Sequence, residues 1–92
     1  MNATRRKDIV SILKQINEMA QLYENIVADI AYVKDEEEMC LDNVPENLQC
    51  SLMYDALENN VDNLNEAYDN MLGIESYLKN VIICLSESTQ KY

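Results

Sequence analysis

The sequence predicts an all-α chain of two long antiparallel helices, a helical hairpin that dimerises into a four-helix bundle or coiled coil. Three observations carry this. Apolar residues recur every seven positions in both halves of the 92 residues, helix breakers are limited to one Gly and one Pro, and Pro45 stands between the two periodic halves. The chain 1–92 reads as a single domain, with helix one over about 5–42, a linker over 43–51 and helix two over about 51–88.

In the first helix Ile9, Ile16, Tyr23 and Ile30 share one position of the repeat, and Ile12, Met19, Ile26, Val33 and Cys40 share its partner position. Leu13, Ala20, Val27 and Leu41 widen the stripe on one side, giving three apolar places per repeat where a simple coiled coil has two. No Gly or Pro interrupts Arg5 to Glu38, and Thr4 or Asn2 is the expected N-cap. The linker follows. Pro45 forces Val44 out of the helical region and suits the opening of a new short turn, beside whose positive end Glu46 is favourable. A helical turn over Pro45 to Gln49 is therefore expected, with Leu48 plugging the base of the hairpin.

Ser51 is the expected cap of the second helix, with Asp55 in its first turn. Leu57, Leu64, Met71, Leu78 and Leu85 lie seven apart; Met53, Ala67, Ile74 and Val81 supply the partner position, and Tyr54, Val61, Tyr68 and Ile82 the flank. Asn60 is the polar exception at the partner position, either a buried residue that fixes register or a solvated one near the hairpin mouth. Gly73 marks either a close helix crossing or a tolerated weak spot.

Stripes this broad exceed what two helices can shield from water, so something else must cover the remainder. A second copy does so with no further sequence, and a homodimer with Ile16, Tyr23, Ile26, Ile30, Leu57, Leu64, Tyr68, Met71 and Leu78 at the oligomer interface is the expectation. A foreign helix in the groove and a self-sufficient monomer are the alternatives. Tyr23, Tyr54, Tyr68 and Tyr77 are expected at seam edges with their hydroxyls at the rim.

Composition removes several function classes. The chain has no His, which takes away the commonest general base, the His-paired nucleophiles and the usual nitrogen ligand of zinc or iron, so no enzyme and no cofactor are expected. A single Gly excludes the glycine-rich loops that cradle phosphates. Asp35–Glu38 spreads carboxylates around a helix instead of converging them, and no metal site is expected. Seventeen acidic residues against seven basic ones give a net charge of −10, which disfavours direct contact with nucleic acid. A minor third reading, binding through Arg5, Arg6 and Lys7, would be tested by a gel shift with and without those residues.

No run approaches the ~20 apolar residues of a membrane span, and residues 8–20 mix polar with apolar side chains, so neither membrane insertion nor a signal segment is expected. Three cysteines, Cys40, Cys50 and Cys84, are odd in number and lack zinc-site spacing; they are expected as small buried hydrophobes in a reducing cytoplasm. Asn2-Ala3-Thr4 matches a glycosylation sequon, without consequence in that compartment.

Charge is distributed unevenly. Residues 1–34 hold five basic and four acidic side chains, whereas Asp35 to Glu75 holds twelve acidic ones and no basic one. In a hairpin that stretch folds around the loop, with Arg5, Arg6, Lys7, Lys79 and Lys91 expected at the other end, a polarity that steers a basic partner. The candidate partner-binding face comprises Asp35, Glu36, Glu37, Glu38, Asp42, Asp55, Glu58, Asp62, Glu66 and Asp69. Asp55, Asp62 and Asp69, seven apart, set carboxylates in a line that can imitate a row of phosphates; the alternative is that the acidity serves solubility alone.

The linker Asp42-Asn43-Val44-Pro45-Glu46-Asn47-Leu48-Gln49-Cys50-Ser51, between an acidic helix end and a Leu-rich helix with repeated Asp-Asn, resembles that of small helical-hairpin proteins of bacteriophages, prophages and mobile elements. Those carry an Asn-Met-Pro-Glu-Asn-Leu-Gln-like linker; here Val44 replaces the usual Met, and the likeness covers about residues 35–70. The resemblance implies a phage-type hairpin in a bacterial cytoplasm and implies no established activity. The leading expectation is a non-enzymatic acidic interaction protein that binds and inhibits a host nucleic-acid-handling or defence protein, by anti-CRISPR-like action or nucleic-acid mimicry. The competing expectation is a structural or assembly accessory whose bundle is its whole role.

Overall fold

A computed structural model describes residues 1–89. It is all-α: helix α1 spans Ala3–Asp42, a short 3-10 turn spans Glu46–Leu48, and helix α2 spans Leu52–Glu87, forming a helical hairpin. No strand occurs among the described residues.

Local chemistry sets each boundary. The Asn2 Oδ1 accepts the Arg5 backbone N–H at 2.8 Å, so Asn2 is the cap of α1 and the helix starts two residues before the expected position. At the other end the Asn43 and Val44 N–H groups bond back to the Met39 and Leu41 carbonyls, closing α1 where Pro45 prevents continuation. Pro45, at φ −60° and ψ 148°, opens the 3-10 turn, whose Leu48 N–H returns to the Pro45 carbonyl at 2.9 Å. The Ser51 Oγ accepts the Tyr54 N–H at 3.1 Å and caps α2, with Asp55 in the first turn as expected.

The chain packs as two compact units. Unit 2 runs from Ile26 to Leu72, and unit 1 joins Met1–Asn25 to the part of α2 from Gly73 onward. Labelling the repeat so that Ile9 and Leu57 are a, Ile12 and Asn60 are d, and Leu13 and Val61 are e, both units close on a and e. In unit 2, Val27, Ile30 and Leu41 of α1 and Tyr54, Leu57, Val61, Leu64, Tyr68 and Met71 of α2 are all half-buried or better. In unit 1, Ile9, Leu13, Ile16, Ala20 and Tyr23 of α1 and Leu78, Ile82 and Leu85 of α2 are all half-buried.

The d positions therefore do not close the hairpin, contrary to the expected pairing. Ile12, Met19, Ile26 and Val33 are 39–48% exposed, and Met53, Ile74 and Val81 are 42–56% exposed. The cause is rotational: d lies about 60° to one side of a and e about 40° to the other, and a pair of helices can close on only one side.

Three further expectations are corrected, and one open alternative is resolved. Leu48 is 43% exposed and does not plug the hairpin; Val44, 9% exposed, does so because Pro45 bends the backbone immediately after it. Cys40, Cys50 and Cys84 are all exposed thiols, not buried hydrophobes, since Cys40 lies on the outward d line and Cys50 in the linker. Tyr77 is 73% exposed, one position outside the inward a line. A Cβ added at Gly73 would meet nothing within 4 Å, so this glycine marks no close crossing and is the tolerated weak spot.

Candidate functional site

Unit 2 carries the whole predicted acidic face. Asp29, Asp35, Glu36, Glu37, Glu38, Asp42, Glu46, Asp55, Glu58, Asp62, Glu66 and Asp69 lie within it, against Lys34 as its one cation. Eight of the ten predicted partner-binding carboxylates, Asp35, Glu36, Asp42, Asp55, Glu58, Asp62, Glu66 and Asp69, are exposed; Glu37 and Glu38 are half-buried. Asp55, Asp62 and Asp69 each follow a d residue of α2 by two positions, which turns them about 160° away from the Met53–Asn60–Ala67 line. Asp35 and Asp42 stand in the same relation to Val33 and Cys40 on α1.

Lys34 is placed at an inward e position. Its Nζ lies 5.4 Å from the Tyr68 ring centroid, 3.4 Å from the Glu38 carboxylate and 3.9 Å from that of Asp35. This cation is engaged by its own unit and ties α1 to α2 there, while unit 2 has no second cation to answer its other carboxylates. Sequence reasoning missed Lys34 because a charged residue at an inward position breaks the apolar pattern; its spacing from Ile30 and Leu41 was the available signal.

The opposite side of unit 2 is apolar. Ile26, Ile30 and Val33 of α1 and Leu64 of α2 line a shallow depression with Asp29 at its edge. Asn60 is exposed on the d line, its Nδ2 donating to the Glu37 Oε2 at 3.4 Å, so of its two readings the solvated one holds within the chain. Of the nine residues expected at an oligomer interface, Ile16, Tyr23, Ile30, Leu57, Leu64, Tyr68, Met71 and Leu78 are half-buried within the chain itself, and Ile26 is 39% exposed.

Unit 1 differs. Its described residues hold Arg5, Arg6, Lys7, Lys14 and Lys79 against Asp8, Glu18, Glu24, Glu75 and Glu87; Lys91, expected with these cations, lies outside the described residues. The Arg6 Nη1 donates to the Met1 carbonyl at 2.7 Å, and Lys79 pairs with Glu75 at 3.1 Å one helical turn away. Among the described residues no three His, Cys, Asp or Glu side chains converge as a metal site, and no helix is long and apolar enough to cross a membrane. Comparison of the chain with protein-family models, curated proteins and solved structures finds no match.

Proposed function

We propose that this is a non-enzymatic interaction protein, of phage or mobile-element origin and acting in a bacterial cytoplasm. Its acidic unit binds the basic surface of a host nucleic-acid-handling or defence protein and inhibits it. The observation that supports this is the composition of unit 2: twelve carboxylates, most of the predicted face exposed, and a single cation already held by Tyr68, Glu38 and Asp35. Concentrating like charge without intervening Lys or Arg costs self-repulsion, which a basic partner offsets. The Asp55–Asp62–Asp69 line repeats every seven residues, about 10.5 Å along a helix, a row of anions that competes with a phosphate backbone for the same cations.

The working form in this reading is a homodimer. Val44 and Val61 are the chain's buried apolar residues among those described, too small a core for a domain of this size to rely on alone. The same observation favours a second reading, an assembly accessory whose oligomer is its purpose. Salt separates the two. Capture of a host target that weakens steeply between low and high ionic strength, and that is lost on reversing Asp55, Asp62 and Asp69 to Lys, is the expected result. Binding that survives both salt and charge reversal sinks the acidic-face proposal.

A further inference from the structure

We infer that two copies of this chain pair through unit 1, each covering an apolar side of the other's unit 1, and that unit 2 takes no part in the contact. The inference rests on the homodimer reading above and adds the unit and the face. Three observations carry it.

The first is the incompleteness of unit 1. None of its described residues is buried, and its best-covered apolar side chains, among them Leu13, Ile16, Leu78 and Ile82, are half-buried only. A seam that buries no side chain fully leaves much of its hydrophobic gain unrealised, and a further layer laid on it recovers that gain.

The second is the face. Around a helix d lies about 60° to one side of a, and g about 60° beyond d. Two antiparallel helices that both close on a and e are related by a two-fold axis, which brings their d and g lines to one side of the unit. In unit 1 that side carries Ile12, Met19 and Leu22 of α1 with Ile74, Tyr77 and Val81 of α2, all 41–73% exposed. Large apolar residues gathered in this way on one side of so small a unit mark an interface. A side built from two-fold-related helices is matched by its own copy, and stacking the two gives a four-helix layer.

The third is charge. Among the described residues the d and g lines of unit 1 carry Arg5 and Asp8, of opposite sign, and the unit as a whole sets five basic side chains against five acidic ones. A copy docked there meets no field of like charge. The same lines in unit 2 carry Asp29 and Glu36 with no cation, and Asn60, Asn63 and Asn70 beside them, so a copy docked on unit 2 would oppose carboxylates and bury amides. Unit 1 therefore joins the copies, and unit 2 keeps its carboxylates in water, displayed twice in each dimer.

Paired charge variants in sedimentation equilibrium test this. Chains carrying Met19→Glu and Val81→Glu, and chains carrying Met19→Lys and Val81→Lys, are each expected at single-chain mass at micromolar concentration, where the native chain has twice that mass. Mixing the two variants should restore the doubled mass, because the opposite faces then attract; loss of folding alone gives no such rescue. Val33→Glu with Ala67→Glu, on the same lines of unit 2, should keep the native mass. A doubled mass for the Met19→Glu, Val81→Glu chain overturns the face and leaves the homodimer, and a mixture that stays at single-chain mass overturns the contact of unit 1 with its own copy. Dissociation by the unit 2 pair overturns the choice of unit. A single-chain mass for the native chain overturns both this inference and the homodimer reading beneath it.

Discussion

Units 1 and 2 are built from the same two helices and the same seven-residue repeat, yet they differ in burial and in charge. Among the described residues both buried apolar ones, Val44 and Val61, lie in unit 2. Its helices are joined directly by the capped linker, and Lys34 bridges them through Tyr68. Unit 1 has no buried residue among those described, and the charges of those residues balance. The better-packed unit is thus also the one that carries the uncompensated acidity. Unit 2 has the tighter seam to hold its carboxylates in fixed positions, and that is the property a charge-reading surface requires.

The contrast can be broken by single substitutions. The largest effect is expected from Val61→Asp, which places a carboxylate in the one buried site of α2 and should cost on the order of 3 kcal/mol in a thermal or urea melt followed by circular dichroism. Ile82→Asp, at the matching e line of half-buried unit 1, should cost clearly less; equal losses would erase the distinction between the units. Next in size is Met19→Glu on the outward d line of unit 1, expected to weaken self-association by more than about tenfold, about 1.4 kcal/mol, in sedimentation equilibrium. Tyr32→Glu, 68% exposed on the neighbouring outward line, should leave association unchanged.

Ser51→Ala removes the cap of α2 and should cost about 1 kcal/mol. Asn2→Ala, at the fraying end of unit 1, should cost less in the same melt. Gly73→Ala should act in the opposite direction and raise stability by about 0.8 kcal/mol, because the open space around that Cβ leaves only the backbone-entropy gain. A loss on Gly73→Ala would mean that a second copy approaches the glycine closely. Amide exchange sharpens the comparison further: protection in α2 should be strongest around Val61 and decline beyond Gly73.

Helix identity, the linker turn and the Ser51 cap were legible in the sequence because each rests on chemistry within a few residues. Pro45 stops one helix wherever it occurs, and Ser51 finds the Tyr54 N–H without help from the rest of the fold. The side on which the hairpin closes was not legible. A repeat with apolar residues at a, d and e supports closure through a and d or through a and e equally well, and the helix cannot bury both. In unit 2, Val27 and Val61 rather than Ile26 and Asn60 turn inward because α2 there offers Tyr54, Val61 and Tyr68 at e but only Met53, Asn60 and Ala67 at d. Val44 and Leu48 were confused for a related reason: which apolar residue fills the hairpin base depends on the path of the turn. The acidic face was legible as a count of charges along the chain, and its separation from the apolar d line became visible only once the inward side was known.

The central claim is that this hairpin lacks a self-sufficient core and completes its fold with a second copy. Thermal unfolding measured over a hundredfold range of chain concentration tests it most directly. The account predicts a Tm that rises steadily with concentration, as coupled folding and association require. A Tm that stays constant across that range would contradict it.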